Sequence, residues 1–306
     1  MIIETQQDVT RAVLAEMHRT PDARTREILS SLIKHLHDFV REVRLTEKEF
    51  QAAIGYLNAV GQHTTASHNE AMLLSGALGV SNLVCLLNNR QPTQANNLGP
   101  FYRAGAPRCA NGDSIVRSKT VGAPLHFTGR VISINENPVS GAQVEVWQSA
   151  PSGLYENQDP KQAEMNLRGT FTTDRDGTFS FRSVKPAGYP VPTEGPTGAL
   201  LRAQRRHNFR PAHLHFLVHK AGFKTIASQV YDPDDPHLET DSQFGVTKAL
   251  VGNYRKEGDG YALEFTFVLE PGESWLPKAP ISAKAGRRPA PRRPARPRAR
   301  SRRRRS

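Results

Sequence analysis

Cysteine is scarce in this chain. Cys85 and Cys109 are the whole complement in 306 residues, which argues against a disulfide framework and against a thiolate metal site. Long apolar runs are missing too. The most apolar stretch, residues 71–87, is broken by Ser75, Gly76, Gly79, Ser81 and Asn82. It falls short of the roughly 20 residues a spanning helix needs and reads as buried helix. The start, Met1-Ile2-Ile3-Glu4, has no basic segment leading into an apolar one, so no secretory signal is visible and a cytoplasmic, reduced protein is expected. Also absent are a Gly-rich phosphate loop, a paired-cysteine zinc motif and a Gly-x-Ser-x-Gly elbow.

Acid is absent from one region only. Residues 284–306 hold 12 of the 41 basic residues and no Asp or Glu, which leaves 29 basic residues to balance 29 acidic ones in the rest. The net charge of +12 thus belongs to an Arg, Pro and Ala tail that buries nothing and is expected to be disordered. Contact with nucleic acid through the tail is less expected than a solvated extension.

Residues 1–92 read as helical. Leu29, Leu32, Ile33, Leu36, Phe39, Val40 and Val43 recur at three- and four-residue intervals, while Arg26, Lys34, Asp38 and Arg41 lie off that stripe. Thr46-x-x-Glu49 and Ser67-x-x-Glu70 fit capping boxes ahead of apolar runs. Residues 93–123 form a connecting segment. From Pro124 to about 283 the pattern turns to short β-rich runs punctuated by Pro and Gly: Gln143–Trp147, Gly177–Val184, His213–His219, Thr225–Val230 and Tyr261–Leu269. Asp176-Gly177 is a hairpin signal. With no helical periodicity between the runs, the expectation is an α+β protein: an antiparallel β-sandwich preceded by a helical region and followed by the tail, 284–306.

His213 and His215 stand one residue apart in such a run, and a strand points i and i+2 side chains the same way, roughly 6.6 Å apart at the backbone. That spacing suits one metal ion. Upstream, Tyr155 and Tyr189 sit in turn-like settings beside Gly, Pro or Ser. A phenol, with an ordinary pKa of about 10, ligates at neutral pH only where the metal strongly stabilises phenolate. Fe(III) does so, and two phenolates would resist its reduction. Singly, each residue also has an ordinary reading, a tyrosine packed in a turn or a polar strand histidine. A zinc hydrolase fits poorly, because Leu217 stands where an acid would complete the site. Fe(II) extradiol chemistry wants a carboxylate with two histidines.

Ordered stretches settle more. Leu98-Gly99-Pro100-Phe101-Tyr102-Arg103-Ala104-Gly105-Ala106-Pro107, Val144-Glu145-Val146-Trp147-Gln148, Gly153-Leu154-Tyr155-Glu156-Asn157-Gln158-Asp159-Pro160, Asn166-Leu167-Arg168-Gly169, Gly188-Tyr189-Pro190 and Arg210-Pro211-Ala212-His213-Leu214-His215-Phe216 resemble the intradiol ring-cleaving dioxygenases. These are non-haem Fe(III) enzymes of aromatic catabolism, and the likeness covers roughly residues 7–284. It implies one Fe(III) per subunit, held by Tyr155, Tyr189, His213 and His215. A vicinal aromatic diol would bind as a dianion, displacing a solvent hydroxide and Tyr189, which together take its protons, and O2 would cleave the ring between the hydroxylated carbons. Arg210 would stabilise charge developing on the ring, and Gln229 would sit beside the diol. Leu98, Pro100, Phe101 and Phe244 are expected at the substrate. The likeness is greatest to enzymes turning hydroxyquinol or chlorohydroxyquinol into maleylacetate, with catechol and chlorocatechol enzymes, which give muconates, as the alternative. It further implies a homodimer through the N-terminal helices, with bound lipid in some members. A non-catalytic sandwich that binds a ligand is the alternative of another class.

Overall fold

The computed structural model describes residues 2–65, 68–89, 92 and 94–281. The basic tail and Ser67 of the second capping box therefore lie outside the described residues. Five helices come first: α1 (Gln6–Met17), α2 (Ala23–Glu42), α3 (Glu47–His63), α4 (Glu70–Ala77) and α5 (Val80–Asn88). Thr46 and Glu49 form the expected box at α3, each side chain bonding the other's backbone amide. For α4 the cap is Asn69, which accepts from the Met72 amide at 3.0 Å. The chain divides into two compact units at Ala59/Val60, inside α3. In the first, α1 and α2 are tied by Thr10 to His37 and Arg41. Leu32, Leu36, Phe39 and Val40 of the predicted stripe stay exposed.

The second unit is built on two four-stranded sheets. One runs β4-β1-β10-β9, from β1 (Pro124–Ser133), β4 (Thr178–Val184), β9 (Asn253–Glu257) and β10 (Gly260–Leu269). The other runs β3-β2-β7-β8, from β2 (Gln143–Gln148), β3 (Arg168–Thr172), β7 (His213–His219) and β8 (Ile226–Tyr231). A short pair, β5 (Tyr189–Pro190) and β6 (Phe209–Arg210), stands apart. Between the sheets Phe127, Phe171, Phe179, Phe181, Phe216 and Phe267 are fully buried and form the core.

The sandwich is expected and observed, with three departures. β1 and β10 pair parallel, so the first sheet is mixed. Asp176-Gly177 makes a turn without a hairpin: β3 and β4 on either side of it belong to different sheets, and the Asp174 carboxylate, accepting from the Asp176 and Thr178 amides, shapes a corner between them. Finally, a helix does interrupt the strands, α6 (Pro196–Ala203). Eight residues are too few to print a helical period, and Gly195 offers no capping side chain. The buried carboxylate of Glu70 replaces it, accepting from the Thr197 amide at 2.8 Å.

The strands β2 and β7 are buried on both faces. Val144, Val146, Leu214, Phe216 and Val218 face the core. On the other face, Trp147 and Leu217 join Leu73 and Ala77 of α4, Leu98, Phe101, Tyr102, Tyr155, Tyr189, Val191 and Leu201 of α6 in a second apolar cluster. The loop carrying Tyr155 is pinned by charge: Glu156 accepts from Arg103 Nη1 at 2.5 Å and Arg168 Nε at 2.7 Å, all three side chains being buried. Arg168 also donates to the Phe101 carbonyl at 3.0 Å. Removing the shared carboxylate takes the principal counter-charge from two buried guanidinium groups, leaving Arg168 the Phe101 carbonyl and Arg103 the exposed Glu164 carboxylate at 3.4 Å. Glu156→Ala is therefore expected to cost about 3–5 kcal/mol in urea unfolding, whereas a loss below about 1 kcal/mol would show the pair to be dispensable.

Candidate metal centre

Strand alternation brings the first two functional side chains together. His213 and His215 project from the same face of β7, and their Nε2 atoms lie 2.9 Å apart. Register supplies their neighbours: His215 stands opposite Trp147 on β2 and Gln229 on β8, and His213 opposite Tyr231. Trp147 stacks on His215 with ring centroids 4.8 Å apart and planes 9° from parallel. Two loops bring the phenols. Tyr155 sits in a turn after β2, and Tyr189 sits on β5 opposite Arg210. Gly153, in the left-handed region at φ 80°, allows the approach, since a Cβ there would meet Tyr189 Cβ at 3.2 Å. The Tyr155 hydroxyl lies 3.0 Å from the Tyr189 hydroxyl and 3.0 Å from His215 Nε2. All four predicted side chains thus converge, each at most 3% exposed.

Burial fixes their protonation. Desolvation, reinforced by Arg210, lowers His213 to about 3, and desolvation with the neighbouring His213 holds His215 well below its ordinary value. Both imidazoles are neutral, the form that ligates metals. His213 Nδ1 lies 2.7 Å from the Pro211 carbonyl, an acceptor only, so Nδ1 carries the proton and the Nε2 lone pair faces the cluster. Desolvation pushes both phenols up, Tyr155 the more strongly because Tyr189 adds to it, while Arg210 partly offsets the rise at Tyr189. The protein alone keeps them as phenols. Only a strongly charged cation among the four atoms would ionise them.

Arg210 is held from several directions. Its Nε and Nη2 donate to the two carboxylate oxygens of Asp241 at 3.0 and 2.9 Å, and Nη2 also reaches Gln229 Oε1 at 3.0 Å and the Tyr231 hydroxyl at 2.8 Å. Burial opposes that charge, but Asp241 and Tyr231 outweigh it and keep the guanidinium firmly protonated. Nη1 points to His213 Nε2 at 3.4 Å. Gln229 donates in turn to the Asn97 carbonyl at 3.0 Å.

The expected substrate residues are less uniform. Pro100 and Phe101 line a narrow cavity with Tyr189, Val191 and Arg210, and Phe101 stacks on Tyr155 at 4.7 Å. Leu98 is buried in the apolar cluster around the phenols but lines a different cavity, with Val84, Leu217 and Trp275. Phe244 is 54% exposed, lies under the Arg206 guanidinium at 4.5 Å and is not among the residues lining the narrow cavity. Sequence reasoning missed Asp241, Tyr231, Asn97 and Gln243. Tyr231 was within reach: the i, i+2 alternation that pairs the histidines also pairs Gln229 with Tyr231. Asp241, Asn97 and Gln243 sit outside the strands, where no period marks them.

Comparison with known proteins gives this geometry a lineage. Residues 98–271 match the family profile described as "Dioxygenase", and residues 22–96 match "Catechol dioxygenase N terminus". The chain is 42% identical over 270 residues to 6-chlorohydroxyquinol 1,2-dioxygenase of Cupriavidus pinatubonensis (strain JMP 134 / LMG 1197), covering 87% of this chain and 98% of that protein. It is 41% identical to hydroxyquinol 1,2-dioxygenase of Rhizobium sp. (strain MTP-10005), over 81% of this chain and 85% of the relative. Among solved structures, hydroxyquinol 1,2-dioxygenase from Pseudomonas putida DLL-E4 superposes with a TM-score of 0.77 at 37% identity, covering 87% of this chain and 99% of the other. Catechol 1,2-dioxygenase from Pseudomonas arvilla C-1 superposes at 0.76 and 28% identity, over 92% and 97%. With profile matches across both regions and relatives this similar over most of its length, the chain belongs to the intradiol ring-cleaving dioxygenases and is an oxidoreductase.

Proposed function

We propose that this enzyme cleaves hydroxyquinol to maleylacetate with O2, breaking the ring between its two adjacent hydroxylated carbons. The observation that supports it most is the convergence of two phenols and two neutral imidazoles in a dry cluster beside a fixed guanidinium. The donor set fits Fe(III). Tyr155, Tyr189, His213 and His215 would hold it, and when bound it would supply the positive charge that ionises the phenols and favours the deprotonated diol. Hydroxyquinol as the preferred diol rests on the named activities of the relatives at 41–42% identity.

The chain's own residues do the rest. Tyr189, as phenolate, is a base beside Arg210 that takes a proton from the diol. Arg210 keeps its charge because Asp241 is fixed against it, and it stabilises negative charge building on the ring. Gln229 orients Arg210 through Oε1. Phe101 and Trp147 pack against Tyr155 and His215 and exclude water. The exposed Leu32, Leu36, Phe39 and Val40 of α2 support a homodimer, and the groove lined by Val9, Val40, Phe50, Arg41 and Arg44 is where a lipid chain and headgroup would fit. No single helix among the described residues is long and apolar enough to cross a membrane, and the free Cys85 and Cys109 suit a reducing cytoplasm.

Two experiments test this. Purified enzyme should be wine-red with one iron per subunit, and Tyr155→Phe should lose both colour and metal. Oxygen uptake should be fastest with hydroxyquinol when that diol, catechol and 4-chlorocatechol are compared. Colourless, iron-free protein after iron supplementation contradicts the reading, and faster uptake with catechol moves it to the muconate-forming enzymes. Gly99 supplies a further test, of how His215 is seated: at φ 78°, a Cβ there would lie 3.1 Å from His215 Cε1. Gly99→Ala should displace that imidazole, lower iron occupancy and reduce kcat/KM by about 10–100-fold. Unchanged iron content and rate would show that the glycine is not needed to seat His215.

A further inference from the structure

Helix α5 supplies none of the four donor atoms, yet one of its polar residues is buried. Asn82 is 8% exposed, while Leu83, Val84, Leu86 and Leu87 of the same helix are exposed. A carboxamide taken from water while leucines stay in it needs a compensating reason, because its groups cost free energy unless bonded. Asn82 bonds at both ends. Nδ2 donates to the Gln243 carbonyl at 2.6 Å, and Oδ1 accepts from Asn97 Nδ2 at 2.8 Å.

Those two partners come from segments that have no strand or helix to hold them. Both Asn97 and Gln243 line the narrow cavity with Tyr189, Phe101 and Arg210. The Asn97 carbonyl accepts from Gln229 Nε2 at 3.0 Å, and Gln229 Oε1 accepts from Arg210 Nη2 at 3.0 Å. On the other side, Asp241, the partner of Arg210, accepts from the Gln243 amide at 3.1 Å and the Gly245 amide at 2.8 Å. A neighbouring amide repeats the tie: Asn96 Nδ2 donates to the Gly245 carbonyl at 2.6 Å. One carboxamide on α5 thus closes a ring of hydrogen bonds running Asn82, Asn97, Gln229, Arg210, Asp241, Gln243 and back.

We infer that Asn82 is a positioning residue that sets the width of the diol pocket by clasping the segments 94–99 and 241–245; this rests on the diol-cleaving function proposed above. It touches no substrate. Its effect reaches the substrate through the walls, so it governs binding and discrimination more than the rate of the bound complex. Loss of the two buried ties loosens both walls, an effect at the pocket of at least about the worth of one hydrogen bond, and a change in uniform binding appears in KM with kcat unchanged.

The test compares Asn82→Ala and Asn82→Asp with Asn88→Ala. The last removes a carboxamide from the same helix, where Asn88 Nδ2 donates to the Val84 carbonyl on the exposed side. In the iron-loaded enzyme, Asn82→Ala should raise KM for hydroxyquinol about 5–10-fold with kcat within about twofold. It should also narrow the preference among hydroxyquinol, catechol and 4-chlorocatechol. Asn82→Asp keeps the acceptor for Asn97 but puts a carboxylate against the Gln243 carbonyl, and should behave like alanine at 241–245 while sparing 94–99. Amide hydrogen exchange reads the clasp without any turnover: protection should fall in both segments in Asn82→Ala and in neither in Asn88→Ala. Unchanged exchange in both segments, or a fall equalled by Asn88→Ala, overturns the clasp. A kcat loss with KM unchanged overturns its role in binding. Wild-type enzyme that oxidises none of the three diols overturns the diol reading, and the exchange data then still decide whether Asn82 joins the two segments.

Discussion

Desolvation of four donor atoms is the constraint on which the rest of this structure depends. Two imidazoles and two phenols are packed beneath α4, α6 and the Phe101 loop, where water cannot solvate any charge they might carry. The same burial acts in opposite directions on the two residue types, holding imidazoles neutral and phenols protonated. A cluster so prepared has little use for protons and a strong use for a highly charged cation. This explains why both faces of β2 and β7 are buried. One face closes the phenylalanine core, and the other must be dry for the chemistry.

The permanent charge in the site is Arg210, and the fold spends several polar groups on it. Asp241, Gln229 and Tyr231 take its donors on one side and leave Nη1 toward His213. A free guanidinium here would be costly to bury, whereas one paired to a carboxylate keeps its charge and gains a fixed direction. Fixed direction is what electrostatic stabilisation of a reacting ring needs. Glu156 does similar work farther out, where a single carboxylate between Arg103 and Arg168 anchors both the Tyr155 turn and the Phe101 loop. Both anchors link loops that the sandwich itself leaves unsupported.

Whatever depends on period was legible in the sequence. The stripe on α2, the runs that became β2, β4, β7, β8 and β10, and the shared face of His213 and His215 all follow from repeats of 3.6 or 2. Tyr155 and Tyr189 could be found from the chemistry of a ferric donor set combined with the family likeness, and the structure brings their oxygens together. What was hidden depends on contacts distant in sequence. No local signal shows that Glu70 caps α6 across 127 residues, that β1 accepts β10 as a parallel neighbour, or that the Asp174 turn is a corner between sheets. Phe244, expected at the substrate, stands beside pocket-lining Gln243 with φ 54° and its ring 4.5 Å from the Arg206 guanidinium.

The central claim is that both phenol oxygens bind one ferric ion together with the two imidazoles. Resonance Raman spectroscopy of the iron-loaded enzyme, excited in its visible absorption band, tests this most directly. The account predicts enhanced ring modes of iron-bound tyrosinate in two distinguishable sets, one abolished in Tyr189→Phe that still retains iron. Iron-loaded protein without tyrosinate modes would contradict it.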